Sequence, residues 1–130
     1  MKSKVLIIED EELMLRFLEQ RLKNEDFEVD IARDGNEAMQ HIRQNKYATI
    51  LTDLMLPFVS GFELIAKIRA DERNNDTPVL VLSALSTANT IVDALKIGAN
   101  DFLKKPFAIN VLLTKIKLLL SDGAMLKAVS

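Results

Sequence analysis

The sequence predicts an α/β protein, a doubly wound parallel sheet with helices on both faces. Three observations carry that expectation. Short Val/Ile/Leu runs recur along the 130 residues. Amphipathic segments of helical spacing separate them, and the two kinds alternate from about residue 4 to residue 120. Such alternation builds a parallel sheet, and near-continuous apolar runs suit strands buried on both faces.

Five strands are expected, over residues 5–8, 29–32, 48–52, 79–82 and a weaker 102–103. The first helix shows Leu13, Phe17, Leu18 and Leu22 at helical spacing, and the second Ala38, Met39 and Ile42. The third, after Gly61, carries Leu64, Ile65 and Ile68. The fourth carries Ile91, Val92 and Leu95 and is closed by Gly98, the residue type that most easily caps a helix C-terminus. The fifth carries Val111, Leu112, Lys115, Ile116 and Leu119. The result is a (βα)5 three-layer sandwich. Residues 71–77, with Asn74-Asn75-Asp76, read as a polar loop. The domain is expected to cover residues 1–121, with 122–130 a C-terminal tail that extends the last helix or begins a linker.

Apolar residues make up 48% and charged residues 28% of the chain, the profile of a soluble globular domain. A net charge of −2 argues against general nucleic-acid or membrane-surface binding. The absence of cysteine excludes a disulfide framework and a thiolate metal site. No apolar run approaches a membrane span and no secretory signal is present, so a cytoplasmic location is expected.

In open parallel sheets, ligands bind beyond the carboxyl ends of the strands. Glu9 and Asp10 follow strand one, Asp53 strand three, Ser83 and Ala84 strand four, and Lys104, Lys105 and Pro106 strand five. Asp53 ends an apolar strand within "YATILTDLMLP" (47–57), where an unpaired buried charge would be costly. Three carboxylates at one edge repel each other, and a hard divalent cation relieves that. Magnesium takes oxygen ligands and commonly joins one or two carboxylates to a phosphate. A lysine, a hydroxyl and a nucleophilic carboxylate complete the parts of a phosphoryl-transfer site.

The ordered motifs are "VLIIEDE" with Glu9-Asp10, "TDLMLP" with Asp53, "LSA" with Ser83, and "GANDFLKKPF" with Lys105. In that order and spacing, over residues 4–120, the chain resembles the receiver domain of two-component response regulators. The resemblance implies a CheY-like, flavodoxin-like sheet of order 2-1-3-4-5. It also implies that Asp53 accepts a phosphoryl group from a sensor histidine kinase or a histidine phosphotransfer protein. It assigns Mg2+ to Glu9, Asp10, Asp53 and the backbone carbonyl of Met55. Ser83 contacts a phosphoryl oxygen, Lys105 pairs with the phosphate, and Phe102 is the aromatic switch coupled to Ser83. Activation is expected to alter the surface of the fourth helix, fifth strand and fifth helix, with a homodimer through that face as one outcome. Such a module turns over no external substrate. In two respects the chain departs from the family: Glu9 stands where Asp is commoner, and the loop Phe58-Val59-Ser60 is unusually apolar. The Lys105–Pro106 bond is expected to be cis, because Lys105 must turn back toward Asp53 directly after a strand and the family uses that isomer.

Each residue also has a plainer interpretation. Asp53 alone could cap a loop, Ser83 could be a turn hydroxyl and Phe102 a core residue. Asp10 could be the N-cap of a helix whose first turn holds Glu11 and Glu12, a role compatible with metal binding. Lys104 and the single histidine, His41, read as surface or boundary residues, and the methionines as core filler. Two other functions compete. An aspartyl-nucleophile phosphatase would carry a second acid where Met55 stands, and a receiver used only for docking would not need the acceptor, hydroxyl and lysine together.

Overall fold

The structure is a computed structural model describing the backbone of residues 2–129 and the side chains of residues 2–121. Its strands are β1 (Lys4–Ile8), β2 (Glu28–Ala32), β3 (Thr49–Thr52), β4 (Val79–Ser83) and β5 (Asp101–Lys104). They form one parallel sheet of order β2-β1-β3-β4-β5. The helices are α1 (Glu12–Asn24), α2 (Gly35–Gln44), α3 (Gly61–Ala70), α4 (Ala88–Ile97) and α5 (Ile109–Val129). Fold class and strand order are as the sequence predicts. Residues 122–130, the predicted tail, lie outside the described side chains.

Successive strand residues point to opposite faces, and that splits the core in two. Leu6, Ile8, Ile50, Val79 and Val81 pack against α2, α3 and Ala94 of α4. Val5, Ile7, Leu51, Leu80 and Leu82 pack against α1 and α5. Each such Leu or Ile gains about 2 kcal/mol from leaving water, which is why β1 and β4 read as apolar runs and β3 as an Ile-Leu pair between two buried threonines.

The helical stripes are partly re-phased. In α2 and α3 the predicted residues are all buried. In α1 the buried residues are Leu15, Leu18 and Leu22, whereas Leu13 is 82% and Phe17 45% exposed. In α4 only Ala94 is buried, and Val92 and Leu95 face outward. In α5 Leu112, Leu113 and Ile116 are buried and Val111 is exposed. In α1 the inward line is one residue per turn and in α4 it is Ala94 alone, so apolar neighbours outside it stay in water, whereas α2, α3 and α5 each bury two adjacent residues. The N-cap of α1 is Glu11, not Asp10, and makes no side-chain cap bond; Glu12 is the acid of its first turn. Gly98 does cap α4, at φ 130°. Of the methionines, Met39 is core and Met55 is 63% exposed, so the second is not filler.

The opposite end of the sheet is closed by Asn74. Its Oδ1 accepts from the Tyr47 amide (2.9 Å) and the Thr77 hydroxyl (3.0 Å), and its Nδ2 donates to Ile42 O (2.9 Å) and Asn45 O (2.7 Å). The segment that reads as a polar loop therefore contains a fully buried, fully bonded amide. His41 is a boundary residue, half-buried, with Nε2 3.1 Å from Ile31 O.

Candidate functional site

The strand ends bring four of the predicted residues together. Glu9 leaves β1 and is buried, its amide donating to Ala32 O at 3.0 Å. Asp53 leaves β3 and is 9% exposed, its amide donating to Ile8 O at 3.3 Å. Ser83 ends β4 and is fully buried; its carbonyl accepts from the Lys105 amide at 3.0 Å. Lys105 follows β5, and the Lys105–Pro106 bond is cis, as expected.

The Lys105 ammonium stands between two acids. It donates to Asp53 Oδ2 at 2.8 Å and to Glu9 Oε1. The other Asp53 oxygen, Oδ1, accepts from the amides of Leu54 (2.6 Å) and Met55 (3.1 Å). Asp53 is therefore a carboxylate fixed on both oxygens, the state a positioned nucleophile requires. Burial pushes the Glu9 carboxyl above its ordinary pKa, against the pull of Lys105 and reinforced by the negative charges of Asp53 and Asp10. Burial draws Lys105 down, but its bonds to Asp53 and Glu9 prevail and hold it above the usual lysine value. A lysine charged throughout the physiological range follows.

Other residues surround this cluster. Asp10 is exposed, and its amide donates to Glu9 Oε2 at 3.2 Å. Met55 is exposed beside the acceptor, and Leu85, whose amide donates to Ser83 Oγ at 3.1 Å, is 41% exposed. Phe102 is half-buried against the α2–α3 core, aligned with Val81 across the β4–β5 pair. Lys104 is exposed, the surface lysine the sequence suggests.

All the available donors here are oxygens, and two of the carboxylates are buried, a chemistry that fits a hard cation such as magnesium. Among the described residues, no three acids converge as a ready cage, and Lys105 supplies the positive charge between Glu9 and Asp53.

Three residues support the site in ways the sequence did not assign. A Cβ on Gly61 would lie 2.3 Å from Asp53 O and 2.5 Å from Leu54 Cα, so only glycine lets α3 start against the acceptor's backbone. The Thr52 hydroxyl donates to Asp53 O at 2.9 Å. Phe58 holds φ 71°, closed by Val59 N donating to Pro57 O at 2.8 Å, a three-residue turn that is uncommon for a bulky side chain. The legible signals were a glycine opening a helix and a threonine among apolar strand residues; nothing in the sequence marks Phe58's conformation.

The chain is similar to known proteins over most of its length. The family model for the response regulator receiver domain matches residues 5–117. The response regulator ArlR of Staphylococcus saprophyticus is 40% identical over 118 residues, 91% of this chain and 52% of that protein. The chain thus spans about half the length of that relative. The receiver domain of the Francisella response regulator 1452 superimposes with a TM-score of 0.87 at 32% identity, covering 94% of this chain and 99% of that one. The receiver domain of the sensor histidine kinase PA1611 from Pseudomonas aeruginosa PAO1, with a magnesium ion coordinated in its active site cleft, gives 0.86 at 26% identity, covering 93% and 99%.

Proposed function

From the chain's membership of the response regulator receiver domain family, we propose that Asp53 is its phosphoacceptor and that the Glu9–Lys105–Asp53 cluster is the phosphoryl-transfer site. The observation that carries this is the two-sided restraint of Asp53, by Lys105 on Oδ2 and by two amides on Oδ1. A sensor histidine kinase or histidine phosphotransfer protein supplies the group. One Asp53 oxygen attacks phosphorus, the bond to the donor breaks, and the departing imidazole keeps the electron pair and takes a proton. Lys105 neutralises the phosphoryl oxygens and the Ser83 hydroxyl donates to one of them, stabilisation by placed charges and dipoles. Glu9, Asp10, Asp53 and the Met55 carbonyl would hold Mg2+, which neutralises charge on the transferred group.

Within this reading, residues 1–121 form the receiver and 122–130 a tail or the start of a linker. The kinase partnership places it in the cytoplasm; no helix among the described residues is long and apolar enough to cross a membrane. Phe102 is the switch residue, and the face of α4, β5 and α5 is the one that responds. On that face Lys115 Nζ meets Asp101 Oδ2 at 2.8 Å within the chain, while Val92, Leu95 and Val111 are exposed. A homodimer through it would thus be more apolar than ionic. Sedimentation with beryllofluoride and Mg2+ should show a dimer; an unchanged monomer contradicts that partner.

Mass spectrometry with a small phosphodonor and Mg2+ tests the function. One phosphoryl group should be added per chain, with no sustained turnover of phosphate esters. Continuous ester hydrolysis would favour the aspartyl phosphatase instead.

A further inference from the structure

Among the described methionine side chains, Met39 is buried, Met14 is half-buried against the core beneath α1 and α5, and Met55 is 63% exposed. The Met55 backbone nevertheless belongs to the site, its amide donating to Asp53 Oδ1 at 3.1 Å. Its side chain therefore leaves the main chain directly beside the acceptor and ends in water. Leu85, whose amide donates to Ser83 Oγ at 3.1 Å, brings a second partly exposed apolar side chain to the same edge.

A thioether is a weak acceptor and a leucine side chain is none. Neither can hold a water against a phosphoryl group on Asp53. Oxidation changes this at Met55. A peroxide gives one oxygen to the sulfur: the O–O bond breaks, sulfur loses two electrons, and hydrogen peroxide leaves as water. The product carries a polar S–O oxygen, a hydrogen-bond acceptor where the thioether was apolar. In the core such a change disrupts packing, but an exposed side chain carries it without that cost.

We propose that Met55 is a peroxide-sensitive site and that its sulfoxide shortens the life of the phosphoryl group on Asp53. This rests on the phosphoacceptor reading above. The sulfoxide oxygen accepts a hydrogen bond from a water and turns that water's lone pair toward phosphorus. The water oxygen bonds to phosphorus and the bond to Asp53 breaks. The Asp53 carboxylate keeps the electron pair, and inorganic phosphate departs with the proton released to solvent. One added hydrogen bond in the transition state is worth on the order of ten-fold in rate. The switch then resets faster when peroxide is present.

The whole chain, treated with hydrogen peroxide and mapped by mass spectrometry, would be phosphorylated with a small phosphodonor and Mg2+ and followed as phosphate is lost. Met55 should gain oxygen before Met14 and Met39, and the melting profile should stay that of the untreated chain. Phosphate should be lost on the order of ten-fold faster, and methionine sulfoxide reductases should restore the slow decay. Met55→Gln, with an amide oxygen at similar reach, should decay fast without peroxide. Met55→Leu should decay at one rate before and after treatment. Oxidation of Met14 or Met39 ahead of Met55, equal decay of the oxidised and untreated chains, or an acceleration that survives in Met55→Leu overturns the inference. If the untreated chain takes up no phosphoryl group on Asp53, the phosphoacceptor reading falls, and this site with it.

Discussion

Replacing Gly61 by alanine would drive a methyl group into the backbone that carries Asp53. The new Cβ would sit 2.3 Å from Asp53 O and 2.5 Å from Leu54 Cα, and no rotamer change relieves a clash with main chain. Either α3 retreats, stretching the 2.8 Å bond from Gly61 N to Leu54 O, or residues 53–54 move. Overpacking a close-fitted site costs 1–3 kcal/mol, and with two backbone atoms in the way about 3 kcal/mol is expected. For a domain of this size that lowers Tm by about 10 °C. The displaced atoms also set the two amides on Asp53 Oδ1, so labelling by a small phosphodonor should slow as well. Gly35→Ala is the control. Its Cβ would lie 2.6 Å from Val59 Cβ, an atom no rotamer change moves, so the loop of residues 58–60 must shift and the loss should be about 2 kcal/mol, but none of the groups bonded to Asp53 is displaced and labelling should stay normal. Calorimetry and intact mass measured together decide the matter. A Gly61→Ala protein that melts and labels like the parent would refute the claim that Gly61 holds the acceptor in place.

Three further predictions follow from other parts of the molecule. Burial, and then its 2.6 Å bond to Asp30, push the Tyr47 phenol well above its ordinary pKa. The unfolded chain ionises this group near pH 10, so its contribution is fully present below about 10 and lost as pH rises beyond it; denaturation of Tyr47→Phe should show a shallower loss there than the parent. The same variant should cost about 1 kcal/mol at neutral pH, read by urea denaturation. The aspartyl-phosphate should be long-lived, because neither Met55 nor Leu85 can orient an attacking water; Met55→Asn with Leu85→Glu should shorten its lifetime in excess Mg2+, and equal decay of parent and variant contradicts this.

The sheet was legible because β1, β3 and β4 are buried on both faces, which leaves Val/Ile/Leu runs in β1 and β4 and an Ile-Leu pair between threonines in β3. The acid cluster was legible because parallel topology forces Glu9, Asp53, Ser83 and Lys105 to one edge whatever the loops do. Helix faces were less so: Leu13 and Phe17 satisfy helical spacing with Leu18 and Leu22 yet point to water, since spacing fixes a face only to within one neighbour. The Lys105 bridge to Glu9 could not be read at all, because it depends on side-chain reach between β1 and β5. Asn74 was invisible for the same reason: a polar residue in a loop looks identical whether it is solvated or bonded across the fold.

The most direct measurement is to map the phosphoryl group itself. The chain would be incubated with a small phosphodonor and Mg2+, the acyl phosphate reduced with borohydride, and the modified peptide sequenced by mass spectrometry. The modification should fall on Asp53 alone, and Asp53→Asn should take up no label while keeping the parent's melting profile to within a few degrees. A label on Glu9, Asp10 or any other residue in the parent, or undiminished labelling of a folded Asp53→Asn protein, would contradict the account at its centre.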